Sequence, residues 1–587
     1  MSFSEKNRYL LFLVPLLGLI ICVICNGYEF NVRDQTVFLP YLQHTVAGVP
    51  FSGHDMLIGS IRGVSTMHVF LAPVFALLPN FLKTGAATEW MIFVLYLTSL
   101  YAVFISVFYI ARRVTGSEGA AFLACLALVA AVPRVQTVHA ITENYLSSRT
   151  IALALTVSAL AAGVAGRPLA ACGLAGLAMN VNPTMALPVI AALIFYLLAT
   201  PREGERPYRL PVLGIGIMIL LSVPWIISVA SRDLQIHPIN PSQAWSDVMR
   251  IRFGYHDVRQ WDAESWLSLA APLAILAAAS GYIQHTAART GGFLRALFWT
   301  GLAMAAIQIT TLFIGQFPIV LASHFIRAYT YIYLLSCIAL ALIFSVEEKR
   351  SAVRTAIALL ILFCYLLGMH QFSIILSCVL IAAQRGMLRR FRVPAAAAAL
   401  RKKPPPGLTR AAAFLCAAAL IAVPGESWRA ASRKYPDLTF GNFCKVRYQL
   451  PGLRNRSPFE LAAVWARQNT PQDAVFYVPI DSRGFRGFSH RSPMFLIKDG
   501  CFAIFDEGYA QRWLKEFVRW KGGVSIIPGP SQAGSDGERP DTAALVSYLM
   551  LPGGSVPENM KPYSLYSNAG WYIFRLSDLN ASIAPAK

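Results

Sequence analysis

The sequence predicts a polytopic α-helical membrane protein carrying a small C-terminal α/β domain, and three observations predict it. Apolar runs long enough to cross a hydrocarbon core of roughly 30 Å recur between residues 9 and 426. Of the 587 residues, 56% are hydrophobic and 14% charged, whereas a soluble chain carries about 25% charged residues. From residue 427 onward charges spread throughout and apolar runs shorten. Uninterrupted apolar blocks without strict alternation argue against an outer-membrane barrel.

In order, spans are expected near residues 9–28, 90–111, 117–133, 149–166, 169–181, 183–199, 210–230, 266–283, 294–314, 326–346, 354–369, 371–387 and 409–426. That makes about thirteen segments. Segments 169–199 and 354–387 read as tight hairpins, with one long or kinked helix as the alternative for each. In the first, NVNPT at 180–184 breaks the apolar run: Asn180, Asn182 and Pro183 make a turn, because a proline biases the residue before it away from helix. The first span reads as an uncleaved anchor, being longer than a signal-peptide core and lacking an A-x-A site.

With the N-terminus inside, the inner loops carry roughly twice the Lys and Arg of the outer ones, although they are shorter. This bias predicts a cytoplasmic N-terminus, an exported tail and a bacterial inner-membrane location. The basic linker RRFRVPAAAAALRKKPPPGLTR is then a topology anchor near anionic membrane lipids. The net charge of +21 follows from that asymmetry and does not call for nucleic acid. The two domains expected are therefore a membrane body, 1–426, and an extracytoplasmic α/β domain, 427–587. In the tail, FELAAVWARQNT and WLKEFVRW have helical periodicity, AVFYVPI and GWYIFRL read as strands, and SIIPGPSQAGSDGERPD is a loop.

Most cysteines fall in the expected spans and behave there as small apolar residues. Cys444 and Cys501 lie in the tail. An oxidising compartment would permit them to pair, and two separate thiols are equally compatible with the sequence. No Cys/His spacing of metal-site type occurs.

Polar chemistry concentrates on the exported face, beginning with the long first outer loop, 29–89. Asp34, just beyond the first span, is placed to accept a proton from a hydroxyl nucleophile, or to cap the helical stretch TVFLPYLQHTV that follows. His54 and Asp55 could join it in holding a divalent cation through oxygen and imidazole ligands, or could simply cap a turn. Arg62, Arg149 and Arg327 are outward-facing arginines near span ends, suited to phosphate by their planar fork; contact with lipid headgroups is the ordinary alternative. His324 accompanies Arg327 in ASHFIRAYTY. Glu143, in HAITENYLSSR, is either a substrate contact or a partner of Arg149.

Taken together, these features resemble the GT-C glycosyltransferase superfamily: a first span, a long outer loop with an early acidic residue, many spans and an exported C-terminal domain. The tail is similar to a set of bacterial GT-C-like multi-pass proteins. That likeness rests on W-A-x-x-N-T-P at Trp465 to Pro471, F-R-x-x-S-x-R at Phe485 to Arg491, and K-D-G at Lys498 to Gly500. Those proteins often have His-Pro where this chain has Asn182-Pro183. The resemblance implies a polyprenyl-phosphate-linked sugar as donor, with Asp34 as general base or acceptor-orienting carboxylate and Asp55 as its supporting acid. Outer-face arginines would stabilise the departing phosphate. Metal dependence varies across that superfamily. A transporter or flippase for a lipid-linked precursor, and a non-catalytic protein that binds other envelope-assembly proteins, are the alternatives.

Overall fold

The computed structural model describes residues 5–59, 85–130, 140–199, 209–230, 241–282, 288–314, 317–348, 351–366, 368–384, 447–454, 456–521, 546–568 and 570–583, with isolated positions at 72, 75–77, 82, 138 and 444. Arg62, the last expected span (409–426), the basic linker and the Gly/Pro-rich tail loop lie outside them.

The membrane body is a helical bundle. Its helices are α1 (Glu5–Asn26), α2 (Gln35–Thr45), α3 (Gly85–Thr115), α4 (Glu118–Ala130), α5 (Ser148–Val164), α6 (Pro168–Val181) and α7 (Pro183–Ala199). There follow α8 (Arg209–Ala230), α9 (Gln243–Phe253), α10 (Ala263–Ser280), α11 (Ala288–Ile314), α12 (Tyr329–Glu347), α13 (Ala352–Leu366) and α14 (His370–Gln384). Both expected hairpins are present as separate helices. Asn182 ends α6 with an extended backbone and Pro183 opens α7, the position where a proline costs no hydrogen bond.

Among the described residues five helical segments are long and apolar enough to cross a membrane: Ala86–Thr115, Arg209–Ser228, Ala263–Ser280, Gly291–Ile314 and Phe325–Glu347. Seven shorter apolar helices join them among the described residues. Burial sorts them into layers. The most apolar stretch of Phe325–Glu347 is 94% buried, whereas that of Arg209–Ser228 is 22% buried. The former is the central post, packed by α3, α4, α10, α11 and α13. The latter exposes Val212, Leu213, Leu220 and Ile227, as a lipid-facing helix must.

The tail is built on a five-stranded sheet of order β2-β1-β3-β5-β4. Its strands are β1 (Val475–Tyr477), β2 (Ser492–Pro493), β3 (Tyr548–Pro552), β4 (Tyr566–Ser567) and β5 (Trp571–Arg575). β1 is parallel to β2 and β3, and β5 runs antiparallel between β3 and β4. The helices α15 (Pro458–Asn469) and α16 (Glu507–Lys521) accompany it. α15 buries Ala462, Ala463 and Ala466 against Phe476 and Ile573 of the sheet. α16 turns Tyr509, Trp513 and Phe517 toward Trp245 and Val248 of α9, so the tail and the membrane body share one core.

A polar seam completes that docking. The Tyr28 amide donates to Arg447 O at 3.1 Å, and the Gln449 amide returns a bond to Tyr28 O at 2.8 Å. Gly27 permits the approach: it sits at φ +75°, and a Cβ there would lie 2.4 Å from Arg447 O. Further along, Asn31 Nδ2 donates to Gly484 O at 3.0 Å and the Ser52 amide to Ser492 Oγ at 2.8 Å.

Candidate active site

The chain leaves α1 and turns sharply into α2. Asn31 and Arg33 both adopt positive φ, 55° and 48°, a conformation that costs a non-glycine residue roughly 1–2 kcal/mol. The turn delivers Asp34 to the N-cap of α2, yet its carboxylate makes no capping bond. It faces two cations instead. Oδ2 pairs with Arg149 Nη1, and Oδ1 accepts from Lys498 Nζ at 3.0 Å. The Asp34 side chain remains 33% exposed, so this ion cluster opens to a solvent-reachable space.

Arg149 comes from the first turn of α5, which is fixed by a capping box: Thr150 N donates to Ser147 Oγ at 3.2 Å and Ser147 N to Thr150 Oγ1 at 3.3 Å. Its guanidinium is held along the opposite edge by Glu143, with Nε and Nη2 at 3.1 and 2.8 Å from Oε1. Nη2 also donates to the Tyr145 hydroxyl. Ser147 Oγ donates to Glu143 Oε2 at 2.7 Å. Glu143 is thus the partner of Arg149, and it presents the free edge of the fork to Asp34. The Arg33 guanidinium lies 5.5 Å over the Tyr145 ring, adding a third cation to the rim. Burial acts to raise the Asp34 carboxyl, but the coulombic pull of Arg149 and then Lys498 outweighs it and holds Asp34 well below the usual carboxylate range.

Asp55 lies elsewhere. It is 2% exposed and accepts from the Leu57 and Ile58 amides at 3.1 and 3.2 Å. Its other oxygen accepts from Arg486 Nε at 2.8 Å, and Arg486 makes a two-pronged pair with Asp499 at 2.7 and 2.8 Å. Asp55 is therefore one corner of a buried ion triad that clamps the tail to the first loop. The same triad sets the direction of Lys498, the neighbour of Asp499. His54 is exposed beside it, with its amide on Ser52 Oγ at 3.3 Å.

Asp34, His54 and Asp55 do not converge as a cation site. Both oxygens of each carboxylate are committed to other donors, and an ammonium group stands where a cation would meet Asp34. Among the described residues no group of three His, Cys, Asp or Glu side chains could hold a metal ion. Cys444 and Cys501 are both free thiols.

Arg327 stands on the same end of the bundle, reached through a relay. Its Nη1 donates to Thr184 Oγ1 at 2.7 Å. Thr184 Oγ1 donates to Asn182 Oδ1 at 2.7 Å, and Asn182 Nδ2 to Ser148 Oγ at 3.0 Å. Ser148 immediately precedes Arg149. His324, in the left-handed conformation at φ 48°, lies 5.0 Å from His256, the two rings tilted by 41°. Burial, and then the charge of Arg327, push His256 down to about 3, so this ring is neutral.

The residues that sequence reasoning missed are Lys498, Tyr145 and Arg486. The K-D-G and F-R-x-x-S-x-R patterns did mark Lys498 and Arg486, without showing what they meet; Tyr145 lies in neither pattern. Lys498 reaches Asp34, Asp499 holds Arg486, and a Cβ on Gly500 would come within 2.7 Å of Trp513. Arg491 links this motif to W-A-x-x-N-T-P, donating to Thr470 O at 2.6 Å.

Fold and site together define a multi-span helical membrane protein whose α/β tail closes over a charged cluster at one end of the bundle. Residues 68–227 match the family model described as Dolichyl-phosphate-mannose-protein mannosyltransferase. Residues 458–513 match a domain of unknown function, DUF6798. The fold is similar to the crystal structure of ArnT from Cupriavidus metallidurans bound to undecaprenyl phosphate, at 13% identity, covering 97% of this chain and 98% of that one, with a TM-score of 0.43. It is also similar to the Archaeoglobus fulgidus oligosaccharyltransferase tethered to an acceptor peptide, at 12% identity, covering 94% and 70%, with a TM-score of 0.39. No curated protein sequence matches the chain.

Proposed function

We propose that this protein is a membrane glycosyltransferase of the GT-C type. It transfers a sugar from a polyprenyl-phosphate carrier to a hydroxyl-bearing envelope acceptor at the exported face of a bacterial inner membrane. The observation that carries this reading is the bridging of Asp34 between Arg149 of the bundle and Lys498 of the tail. The match of residues 68–227 to the mannosyltransferase family model supports it.

The chemistry follows from the charges. The carrier phosphate enters a rim furnished by Arg149, Lys498 and Arg33 and competes with Asp34 for them. As these cations turn to the phosphate, Asp34 loses the attraction that keeps it weakly basic. The acceptor oxygen then bonds to the anomeric carbon while the bond from that carbon to the phosphate oxygen breaks, its electron pair staying on the carrier. The hydroxyl proton passes to Asp34 and on to solvent. Lys498 and Arg149 stabilise the negative charge growing on the leaving phosphate. Asp55 acts on this site indirectly, by holding Arg486 and Asp499 so that Lys498 is in place.

The test is a deletion strain analysed by lipid mass spectrometry. A polyprenyl-phosphate-linked sugar accumulates in the deletion and disappears when the wild-type gene is restored, but persists with D34N. Unchanged lipid-linked pools in the deletion strain would sink the assignment.

A further inference from the structure

A cavity of about 390 Å³ lies where the tail meets the start of α3, and none of its lining residues belongs to the Asp34 cluster. Its size is that of a small-molecule site. On the membrane side it is walled by Glu89 and Gln43, and on the tail side by Arg454, Arg456, Arg467 and His490.

The charges there are unevenly arranged. Arg454 is engaged internally: it donates to Glu89 Oε1 at 3.2 and 2.8 Å and to Glu460 Oε2 at 2.6 Å. Its guanidinium lies 5.3 Å from the centroids of both the Phe30 and Phe488 rings. The field at the mouth is then set by Arg456, which is exposed, and Arg467, which is half-buried on α15. Burial first, and then the charge of the neighbouring Arg456, lower the Arg467 guanidinium. Gln43 is 3% exposed, and its amide oxygen, Oε1, has no hydrogen-bond partner. A buried acceptor left bare is destabilising unless a ligand or water supplies a donor.

The depth of the cavity is marked by Trp90, next to Glu89 and 51% exposed. An outward indole at the end of a span sits at headgroup level. An anionic group entering here would find two arginines, an acceptor awaiting a hydroxyl, and a bilayer alongside.

We propose that this cavity binds the headgroup of an anionic, hydroxyl-bearing lipid. The phosphate lies against Arg456 and Arg467, and a headgroup hydroxyl donates to Gln43 Oε1. The site is separate from the Asp34 cluster and stands whether or not the transferase assignment does.

The experiment uses the full-length protein in detergent, titrated with dioctanoyl phosphatidylglycerol, dioctanoyl phosphatidylcholine, dioctanoyl phosphatidic acid and sn-glycerol 1-phosphate, and read by native mass spectrometry. Phosphatidylglycerol is expected to bind at least about tenfold tighter than phosphatidylcholine. R456Q should weaken it roughly fivefold, the worth of one basic residue near an anionic surface, and R456E should weaken it further. Arg456 is exposed, so both variants retain the fold. Q43L should remove the preference for phosphatidylglycerol over dioctanoyl phosphatidic acid. Equal binding of the two diacylglycerol lipids, or undiminished phosphatidylglycerol binding by R456E, overturns the proposal. Binding of sn-glycerol 1-phosphate as tight as that of the lipid, with the same loss in R456E, overturns the lipid assignment and identifies a soluble phosphate as the ligand.

Discussion

Lys498 lies 3.0 Å from Asp34 although the two stand 464 positions apart. The contact makes the α/β tail part of the charged cluster rather than an appendage. It also gives the tail's K-D-G sequence a physical meaning: Lys498 points into the cluster, and Asp499 anchors the segment through Arg486.

Replacing Lys498 tests that meaning directly. K498M should lower transfer by about 10²–10³-fold, the scale for removing one group that stabilises charge in a transition state. K498R should recover part of it. The pH profile separates this role from a packing role. Asp34 is ionised far into acid because Arg149 and Lys498 lower its carboxyl, so with Lys498 gone the acid limb of the rate profile should move to higher pH. An acid limb that stays in place in K498M would mean that Lys498 does not act through Asp34.

Arg149 needs Glu143 to aim it. E143Q keeps the shape and one acceptor oxygen but removes the charge that fixes the guanidinium edge. Its expected effect is a fall in kcat of about tenfold to a hundredfold, smaller than that of R149K, which loses the bidentate fork altogether. Steady-state kinetics on the three proteins gives the order.

The buried triad Asp55–Arg486–Asp499 should behave as a structural clamp. R486M strands two carboxylates in the interior, and breaking a buried pair in this way costs about 3–5 kcal/mol. Thermal unfolding followed by tryptophan fluorescence should show the loss. The triple variant D55N/R486M/D499N should regain much of it, because no buried charge is left unpaired.

These contacts show where sequence is informative and where it is not. Hydrophobicity alone locates most of the bundle, because a span must be apolar and of fixed length. The α6–α7 break is legible at Asn182-Pro183 because proline acts on its immediate neighbour. Asp34, Glu143 and Arg149 stand out individually, being ionisable residues at span ends. Asp55 looks like a companion of Asp34 only because it is near in sequence. Its true partner, Arg486, is 431 positions away, and no local periodicity reports such a pairing. The same distance hides Lys498, although its motif is visible.

Acid should loosen the seam between tail and bundle. Burial, then the charges of Arg467 and Arg491, push His490 down to about 3; unfolded, a histidine titrates near 6.5. Between about pH 6.5 and 3 the unfolded chain binds a proton that the folded one refuses, so stability falls as pH falls, by up to about 1.4 kcal/mol per pH unit for one proton. His256, pushed down to about 3 by burial and then Arg327, adds a second contribution of the same sign. H490N should flatten the pH dependence of the unfolding midpoint between pH 6.5 and 4.5 without abolishing it. Asparagine suits the position because His490 sits at φ 51°, a left-handed conformation asparagine tolerates. An H490N midpoint that drops with acid as steeply as the wild type would show that the ring is already charged in the folded protein.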